Sequence, residues 1–195
     1  MSGPTSGPPV TDQPAPIDLM NTLRADRHAI RDELTSPAAL RDWLVRMTGE
    51  AFAAPRPAEL VAARRLRDSL RLVAAVSTGD PRGDSTWPTD EVENALSVVN
   101  ETASWRARTN LVLRAGRVLG DVVFHTSPVS AALGDVAHEA VEFFAGPAAQ
   151  TLRPCCAPRC VLYFVKTHPR REWCSQTCGN RVRAARHYQR IRPQV

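Results

Sequence analysis

Apolar residues recur at helical spacing after Ser36 and Pro37, which are typical of a helix N-cap and a first helical turn. Leu40 and Leu44 fall on one face of such a helix. Gly49, which follows the last residue of this pattern, is typical of a helix end. The sequence therefore predicts a helix that begins at Pro37 and ends before Gly49.

The same apolar spacing predicts two more helices. One runs from Pro57 to about Val76 and the other from Thr89 to about Ser104. On the first of them, Arg64, Arg67 and Arg71 form a row outside the apolar face. We interpret this row as a solvated face, because charged residues at helical spacing usually lie in water.

The apolar period changes from helical to strand-like after residue 109. Asn110–Arg114 and Arg117–Phe124 flank Ala115-Gly116, a pattern that predicts a β-hairpin. Ser127-Pro128 then begins a last helix, which ends at Gly146-Pro147. These elements give an α+β fold class, with a mainly helical domain that contains one hairpin.

The beginning of the chain lacks apolar periodicity. Residues 1–16 contain five prolines, and we expect them to form a solvated leader. The segment Ile17–Leu23 predicts a short strand or the start of a helix. We therefore place an α+β domain at residues 17–150 and a second, smaller domain at residues 151–195.

Charge separates these two domains. Residues 1–150 contain 15 arginines and 19 acidic residues, a net charge of −4. Residues 151–195 contain nine arginines, Lys166 and a single acidic residue, Glu172, a net charge of +9. A strongly basic segment on a mildly acidic domain favours a polyanionic partner, most often nucleic acid.

Several classes of protein are disfavoured by what the chain lacks. It has no apolar run of about 18 residues and no secretory signal, so we expect a cytoplasmic protein without membrane contact. It has no glycine-rich phosphate loop, no Gly-x-Ser-x-Gly motif and no His-Glu-x-x-His motif. We therefore expect that the protein is not an enzyme.

All five cysteines lie in the basic domain and form a metal-binding pattern. Cys155 or Cys156 forms a close pair with Cys160, and after an insert of 13 residues Cys174 and Cys178 form a second pair. Two close pairs separated by a short insert suit the tetrahedral coordination of one structural Zn²⁺. Spacing alone does not choose between Cys155 and Cys156. His168 and His187 are alternative ligands, but neither has a second ligand at pair distance.

The insert and the residues after it predict a small treble-clef-like zinc finger. Val161–Val165 is a good strand, and Arg171–Trp173 is predicted as its return strand. Ser175 is a natural N-cap for a helix from about Gln176 to Arg190. Gly179-Asn180 weakens the first turn of this helix, so we expect a close backbone approach there.

An arginine-rich helix anchored by zinc is suited to contact phosphates or a DNA groove. Arg183, Arg186 and Arg190 share one face of the predicted helix. Arg170 and Arg171, on the predicted hairpin, extend the positive electrostatic field of this face. The candidate DNA contacts are Arg170, Arg171, Arg181, Arg183, Arg186 and Arg190. Few aromatic residues are free for base stacking, which favours double-stranded DNA over single strands.

The second cysteine pair and its neighbours resemble a known family. Trp173-Cys174-Ser175 followed by Cys178-Gly179-Asn180-Arg181 is similar to the CGNR zinc finger of bacterial, especially actinobacterial, proteins. In that family the finger follows an N-terminal ABATE domain, described as a stress-induced transcription regulator. Asp18–Thr22 and Leu34–Leu40 resemble segments of that domain, so the resemblance covers the chain from about Ile17.

The resemblance implies a zinc-binding and DNA-binding regulator. It favours Cys155 as the first ligand, because the family pattern places an arginine where this chain has Arg153. Residues 164–168 depart from the family pattern Phe-Val-Asp-x-Ser, and the insert is shorter by a residue or two. The shape and charge of the hairpin tip are therefore expected to differ, whereas zinc ligation should be retained.

The sequence leads to one main hypothesis and two alternatives. The main hypothesis is a cytoplasmic transcription regulator that binds double-stranded DNA, as a homodimer because one small finger rarely supplies enough specificity. The first alternative is a zinc-stabilised module that binds an acidic protein partner. The second is an enzyme or a small-molecule sensor with a pocket in the first domain. The spare Cys156 also raises the hypothesis of redox sensing. The sequence identifies no effector.

Overall fold

The computed structural model describes residues 13–25, 29–83 and 86–191, beginning at Gln13. The first and larger part of the described chain contains α1 (Ala15–Met20), β1 (Leu23–Ala25), β2 (Ile30–Asp32), α2 (Pro37–Thr48), α3 (Pro57–Thr78), α4 (Thr89–Ala103), β3 (Arg108–Arg114), β4 (Arg117–Val123) and α5 (Pro128–Ala145). The second part contains a short 3₁₀ helix (Pro147–Thr151), β5 (Leu152–Pro154), β6 (Tyr163–Val165) and α6 (Gln176–Ile191). We call these two parts the body and the finger.

Helix ends follow the capping residues of the sequence, and each predicted helix is confirmed. The backbone N–H of Ala39 donates to Ser36 Oγ at 3.2 Å, and this bond caps the start of α2. Gly49 ends that helix in the left-handed region, at a φ of 73°. The segment predicted as a strand or a helix start contains both, since α1 ends at Met20 and β1 begins at Leu23. The helix begins earlier than expected, at Ala15, and Pro16 of the predicted solvated leader is buried in it. Residues 1–12 of that leader lie outside the described residues.

The three sheets are separate antiparallel pairs, β1–β2, β3–β4 and β5–β6. The predicted hairpin of the body is confirmed as β3–β4, with Arg114 opposite Arg117 at its end. Ala115 and Gly116 both have positive φ, 50° and 73°, as a two-residue type I′ turn requires.

The core of the body is formed by apolar residues that all its helices contribute. Its fully buried members include Ile17, Leu19, Met20, Leu40, Leu44, Leu66, Leu70, Leu133, Ala137 and Ala140. α4 packs against both α3 and α5 and contributes Val99. The core extends into the finger, because Leu152 and Tyr163 belong to the same cluster.

The row of arginines on α3 is not a solvated face, and our interpretation of it is wrong. Arg67 is only 3% exposed and its Nη1 lies 2.6 Å from Asp32 Oδ1. Arg64 donates through Nη2 to the carbonyl oxygen of Leu34 at 2.6 Å. The row lies under β1, β2 and the finger, where carbonyl and carboxylate oxygens replace part of the water that an exposed arginine would contact. Arg67 is buried, and Arg64 and Arg71 are half-buried.

The strand pairing in the finger also differs from the prediction. Arg171–Trp173 forms no strand, and β6 is shorter than predicted. Its partner is β5, with Leu152 opposite Val165 and Pro154 opposite Tyr163. The strands that pair are those directly before and after the first cysteine pair, because the turn that carries this pair reverses the chain.

Candidate metal centre and nucleic-acid interface

The first cysteine pair lies in the turn between β5 and β6. The backbone N–H of Cys155 donates to the carbonyl oxygen of Leu162 at 2.9 Å, which continues the β5–β6 ladder by one bond. The N–H of Cys160 donates to the carbonyl oxygen of Ala157 at 2.9 Å and closes a tight turn. Arg159, within this turn, has a φ of 63°. The turn brings the Cys155 and Cys160 side chains to the same side.

The second pair lies at the start of α6. Ser175 caps this helix as predicted, because the N–H of Cys178 donates to its Oγ at 3.2 Å. Cys174 precedes the helix and Cys178 lies in its first turn. The close approach expected at Gly179 also occurs, since a Cβ at this position would lie 3.1 Å from Trp173 Cδ1.

The four cysteines Cys155, Cys160, Cys174 and Cys178 are buried, and their Sγ atoms all lie within 4.8 Å of one another. The Sγ of Cys174 lies 3.8 Å from that of Cys160 and 3.5 Å from that of Cys178. Sulfur ligands about 2.3 Å from a tetrahedral Zn²⁺ are about 3.8 Å apart, so the donor set fits this ion. Cys156 is exposed and lies outside the cluster.

Hydrogen bonding within the cluster shifts the thiol pKa values in opposite directions. The pKa of Cys155 is lowered because the Cys160 thiol, and then those of Cys174 and Cys178, hydrogen-bond to its sulfur. The pKa of Cys174 is raised, because its thiol donates to the same acceptor. Four neighbouring sulfurs therefore need a cation before all of them can be thiolates.

The apolar core of the finger is small. Apart from the four cysteines it contains only Ala157, Phe164 and Val182 as buried members among the described residues. Leu162 and Trp173 pack against it in part. A core of this size does not stabilise a module of some 40 residues, which therefore depends on its metal and on the body.

An arginine of the body holds the first cysteine turn in place. Arg82, in the loop between α3 and α4, donates through Nη1 to the carbonyl oxygens of Leu162, Cys160 and Cys155 at 2.9, 3.3 and 3.4 Å. Its Nη2 lies 2.5 Å from Asp80 Oδ2. The guanidinium therefore connects a buried carboxylate of the body to the backbone of the finger.

Asp80 and Tyr163 complete this connection. The Tyr163 hydroxyl donates to Asp80 Oδ2 at 2.6 Å, and the Arg82 guanidinium lies over the Tyr163 ring, 4.6 Å from its centroid. Burial opposes ionisation of Asp80, but hydrogen bonds from Arg82 and Tyr163 outweigh it and lower its pKa to about 2. Burial and the Asp80 carboxylate raise the pKa of Tyr163 to about 12. At neutral pH Asp80 is therefore ionised, and Tyr163 keeps the proton that it donates to Asp80.

Asn21, in the segment that resembles the opening of the ABATE domain, is a second connection. Its Nδ2 donates to the carbonyl oxygen of Tyr163 at 2.8 Å, and its Oδ1 accepts from the N–H of Tyr163 at 2.9 Å. Arg71 on α3 is a third, donating to the carbonyl oxygens of Met20 and Val161 at 3.0 Å each. The finger is therefore docked on the body through β6 and the first cysteine turn.

These connecting residues were not predicted as part of the site. Asp80 and Arg82 lie in a polar segment between two predicted helices, and no periodicity marks them as buried. Arg71 was assigned to a solvated row. Only Asn21 carried a signal, because it belongs to a motif of the resembled family.

The candidate DNA contacts lie mostly on the exposed side of the finger. Arg170, Arg181, Arg183 and Arg186 are exposed, and Arg171 is half-buried. Neither Arg183 nor Arg186 contacts a carboxylate of a described residue; Arg183 bonds to the side chain of its neighbour Asn180. The side chain of Arg190 lies outside the described residues.

Two of the candidates also contact backbone carbonyl oxygens of the finger. Arg171 donates through Nη2 to the carbonyl oxygen of Cys174 at 3.2 Å, and its guanidinium lies 5.2 Å from the Phe164 ring centroid. Arg181 donates to the carbonyl oxygen of Pro158 at 2.8 Å. These two side chains therefore join the two halves of the finger.

Three of the candidates surround one shallow depression at the start of α6. Its volume is about 360 Å³, and its lining includes Arg170, Arg171 and Arg183 together with Ser175 and Gln176. Glu172 is its one acidic residue. Helix N-termini favour anions, because their first N–H groups point outward and carry the positive end of the helix dipole.

Family comparisons cover both parts of the chain. Residues 13–147 match the ABATE family, described as "Putative stress-induced transcription regulator", and residues 151–191 match the CGNR zinc finger. A comparison with curated proteins gives no match. The finger match and the four buried cysteines together establish one structural Zn²⁺ in this protein.

None of the described helices has the length and apolar character needed to cross a membrane.

Proposed function

The chain belongs to the family of ABATE-domain proteins, here followed by a CGNR zinc finger, and from this premise we propose that it is a transcription regulator that binds double-stranded DNA. We place it in the cytoplasm and assign it no catalytic activity. Residues 17–150 serve regulation and oligomerisation, and residues 151–195 contact DNA. A homodimer supplies two fingers, because a single small finger contacts too few base pairs for specific binding.

Zinc has a structural role in this proposal. Cys155, Cys160, Cys174 and Cys178 hold the ion, and Cys156 remains a free thiol on the surface. The ion joins the β5–β6 turn to the start of α6, which the small apolar core of the finger cannot do alone. Four cysteine ligands leave no open position for a substrate, as is usual for structural zinc.

The observation that carries the DNA proposal is the exposed, uncompensated charge on α6. Arg183 and Arg186 lie one turn apart, and neither makes an ion pair with the described part of the chain. Arg183 lines the depression at the helix start together with Arg170, and Arg186 lies one turn further along α6. We assign supporting phosphate contacts to Arg171, Arg181 and Arg190. Arg171 and Arg181 already donate hydrogen bonds within the finger, which leaves fewer of their N–H groups for DNA.

A salt titration tests the proposal. Fluorescent duplex DNA is titrated with the zinc-loaded chain at several salt concentrations. If three to five arginines contact phosphates, the logarithm of the binding constant falls with the logarithm of salt concentration at a slope of about −3 to −4.5. The double variant Arg183→Gln/Arg186→Gln should bind more weakly and lower the magnitude of the slope by about 2.

A matched double variant controls for net charge. Arg65→Gln/Arg108→Gln removes two exposed arginines from the body, and its slope should equal that of the unchanged chain. Equal losses in both variants would contradict finger-specific binding. Absence of binding by the zinc-loaded chain at low salt would overturn the DNA proposal and favour an acidic protein as the partner of the finger.

A further inference from the structure

The β3–β4 hairpin of the body has one face without any charge. Leu111, Leu113, Val118 and Val122 lie on this face and are 79%, 74%, 67% and 55% exposed. The hairpin register places all four of its charged residues, Arg108, Arg114, Arg117 and Asp121, on the opposite face. An amphipathic ribbon with a bare apolar face is typical of an interaction surface.

The strand edges of this hairpin are also open. Within the described residues its sheet contains only β3 and β4, so each strand has one edge without a strand partner. A two-stranded hairpin is at best marginally stable in water, and it gains stability when further strands widen its apolar face. An open edge of this length is a template for pairing with another strand.

Charge distinguishes the two edges as sites for a second copy of the chain. On β4, Arg117 and Asp121 lie symmetrically about Leu119. If β4 pairs antiparallel with β4 of another copy around a two-fold axis at Leu119, each Arg117 faces the Asp121 of the other copy. Opposite charges at directly opposed positions stabilise strand pairing.

On the β3 edge, the corresponding self-pairing would bring like charges together. Arg108 and Arg114 lie symmetrically about Leu111, so the same kind of self-pairing would place arginine opposite arginine. Like charges at opposed positions destabilise strand pairing. On β4 the geometry also leaves a carboxylate oxygen for the new contact, because Arg114 Nη2 bonds to Asp121 through Oδ1, at 3.2 Å.

We propose that two copies of the chain pair through the β4 edges of their hairpins, in the register that centres on Leu119, and so form a four-stranded sheet. The strand order is β3–β4–β4–β3, and Val118 of each copy faces Gly120 of the other. The apolar faces of the two hairpins become one continuous face, on which side chains of neighbouring strands cover one another. This inference assigns a surface to the homodimer of the proposed function and rests on that part of it.

Cysteine cross-linking tests the register. All variants are made in a Cys156→Ser chain, which removes the exposed thiol, and are kept zinc-loaded and free of DNA. Leu119→Cys should form a disulfide-linked dimer on mild oxidation, because directly opposed Cβ atoms lie about 4.5–5.5 Å apart across an antiparallel pair. Leu111→Cys is the matched control; it lies on the outer strands of the proposed sheet and should remain largely monomeric.

Charge exchange provides a second, independent measurement. Arg117→Asp should raise the dimer dissociation constant about tenfold, measured by sedimentation, because two opposed pairs acquire like charges. Asp121→Arg should do the same, and the double variant Arg117→Asp/Asp121→Arg should restore dimerisation. Both exposed side chains can be exchanged without disturbing the core.

Three results would overturn this inference. If the chain stays monomeric throughout the micromolar range, both this inference and the homodimer of the proposed function are wrong. DNA binding by the finger is then still tested separately, by the salt titration. A dimer that forms without a Leu119→Cys cross-link, or that cross-links equally through Leu111→Cys, uses another surface. A double charge exchange that fails to restore dimerisation excludes the proposed register.

Discussion

Two helices of this protein carry arginines at the same spacing and use them in opposite ways. On α3, Arg64, Arg67 and Arg71 lie three and four residues apart, as Arg183, Arg186 and Arg190 do on α6. The α3 row is covered by other parts of the chain, and its side chains bond to carboxylate and carbonyl oxygens. On α6, the side chains of Arg183 and Arg186 are exposed and have no carboxylate partner among the described residues.

The difference shows that arginine spacing does not reveal whether the side chains are buried. An arginine row becomes a structural element where backbone oxygens converge on it, as the carbonyls of Leu34, Met20 and Val161 do on α3. Each guanidinium has five donors, so it can satisfy several such oxygens at once. A row that meets no such oxygens stays available to an external anion. The α3 row should therefore matter for stability, and the α6 row for binding.

Removal of zinc should have the largest effect, and only on the finger. Cys174→Ser removes a sulfur from the buried cluster, and the binding free energy of structural zinc in such modules is about 10–16 kcal/mol. We expect the variant to lose zinc and hydrogen-exchange protection in α6, while α2 and α3 keep theirs. Zinc content by native mass spectrometry and exchange resolved along the chain measure both effects.

Cys156→Ser is the control for this experiment. Cys156 is exposed and outside the cluster, so this variant should bind one zinc ion and keep α6 protected. If Cys174→Ser kept α6 protected, the body contacts and not the metal would hold the finger together. The α6 arginines, like the α3 arginines, would then be held in position by contacts with the body.

Removal of single arginines compares the two rows directly. Arg67→Met should lower the free energy of unfolding by about 1.5–3 kcal/mol, because it removes the buried guanidinium 2.6 Å from Asp32 and leaves that carboxylate with the more distant Arg64, at 3.6 Å. Arg186→Met should change it by less than about 0.5 kcal/mol, because the side chain is exposed. Denaturant unfolding of both zinc-loaded variants makes the comparison. Similar losses would show that burial does not separate the two rows.

Acid should weaken the connection between body and finger through Asp80. Its pKa is lowered from 3.8 to about 2, so the charged form stabilises the folded chain. This contribution is complete above the unfolded pKa and is lost as the pH falls from about 4 to about 2. The expected effect of acid is smaller than that of Arg67→Met. The contribution of Asp80 should not change from about pH 5 to about pH 10, above which ionisation of Tyr163 removes its hydrogen bond to Asp80.

The measurement is the difference in unfolding free energy between the unchanged chain and Asp80→Asn. Taking the difference removes the effect of zinc release in acid, which both chains share. The difference should be constant from about pH 5 to about pH 10 and shrink between about pH 4 and pH 2. A difference that stayed constant to pH 2 would show that Asp80 is not held as a carboxylate by Arg82 and Tyr163.

Much of the fold could be predicted because local rules determined it. The boundaries of α2 and α5 follow from Ser36 and Ser127, whose hydroxyls cap the first turns in the structure. The β3–β4 hairpin follows from two short apolar segments on either side of a turn with Ala115 and Gly116. The return strand at Arg171–Trp173 was predicted wrongly, because the true partner of β6, Leu152–Pro154, lies before the cysteines and carries no strand-like pattern.

The candidate site also has a part that the sequence predicts and a part that it does not. Spacing predicted two cysteine pairs, but it could not choose between Cys155 and Cys156, which differ only in the direction that the turn gives each side chain. The docking of the finger through Asp80 and Arg82 had no local signal at all. These residues become buried only when distant segments pack around them, and no pattern among their own neighbours records that event.

The sequence by itself determined where α2 to α6 and the β3–β4 hairpin lie, that four sulfurs can meet around one metal ion, and that positive charge concentrates near the end of the chain. These properties depend on residues that are neighbours along the chain. Tertiary structure alone decided which arginines are buried and which remain exposed, and which cysteine points into the cluster. The physical reason is that the free energy of a charged side chain depends on the groups that surround it, and packing brings those groups from distant parts of the sequence.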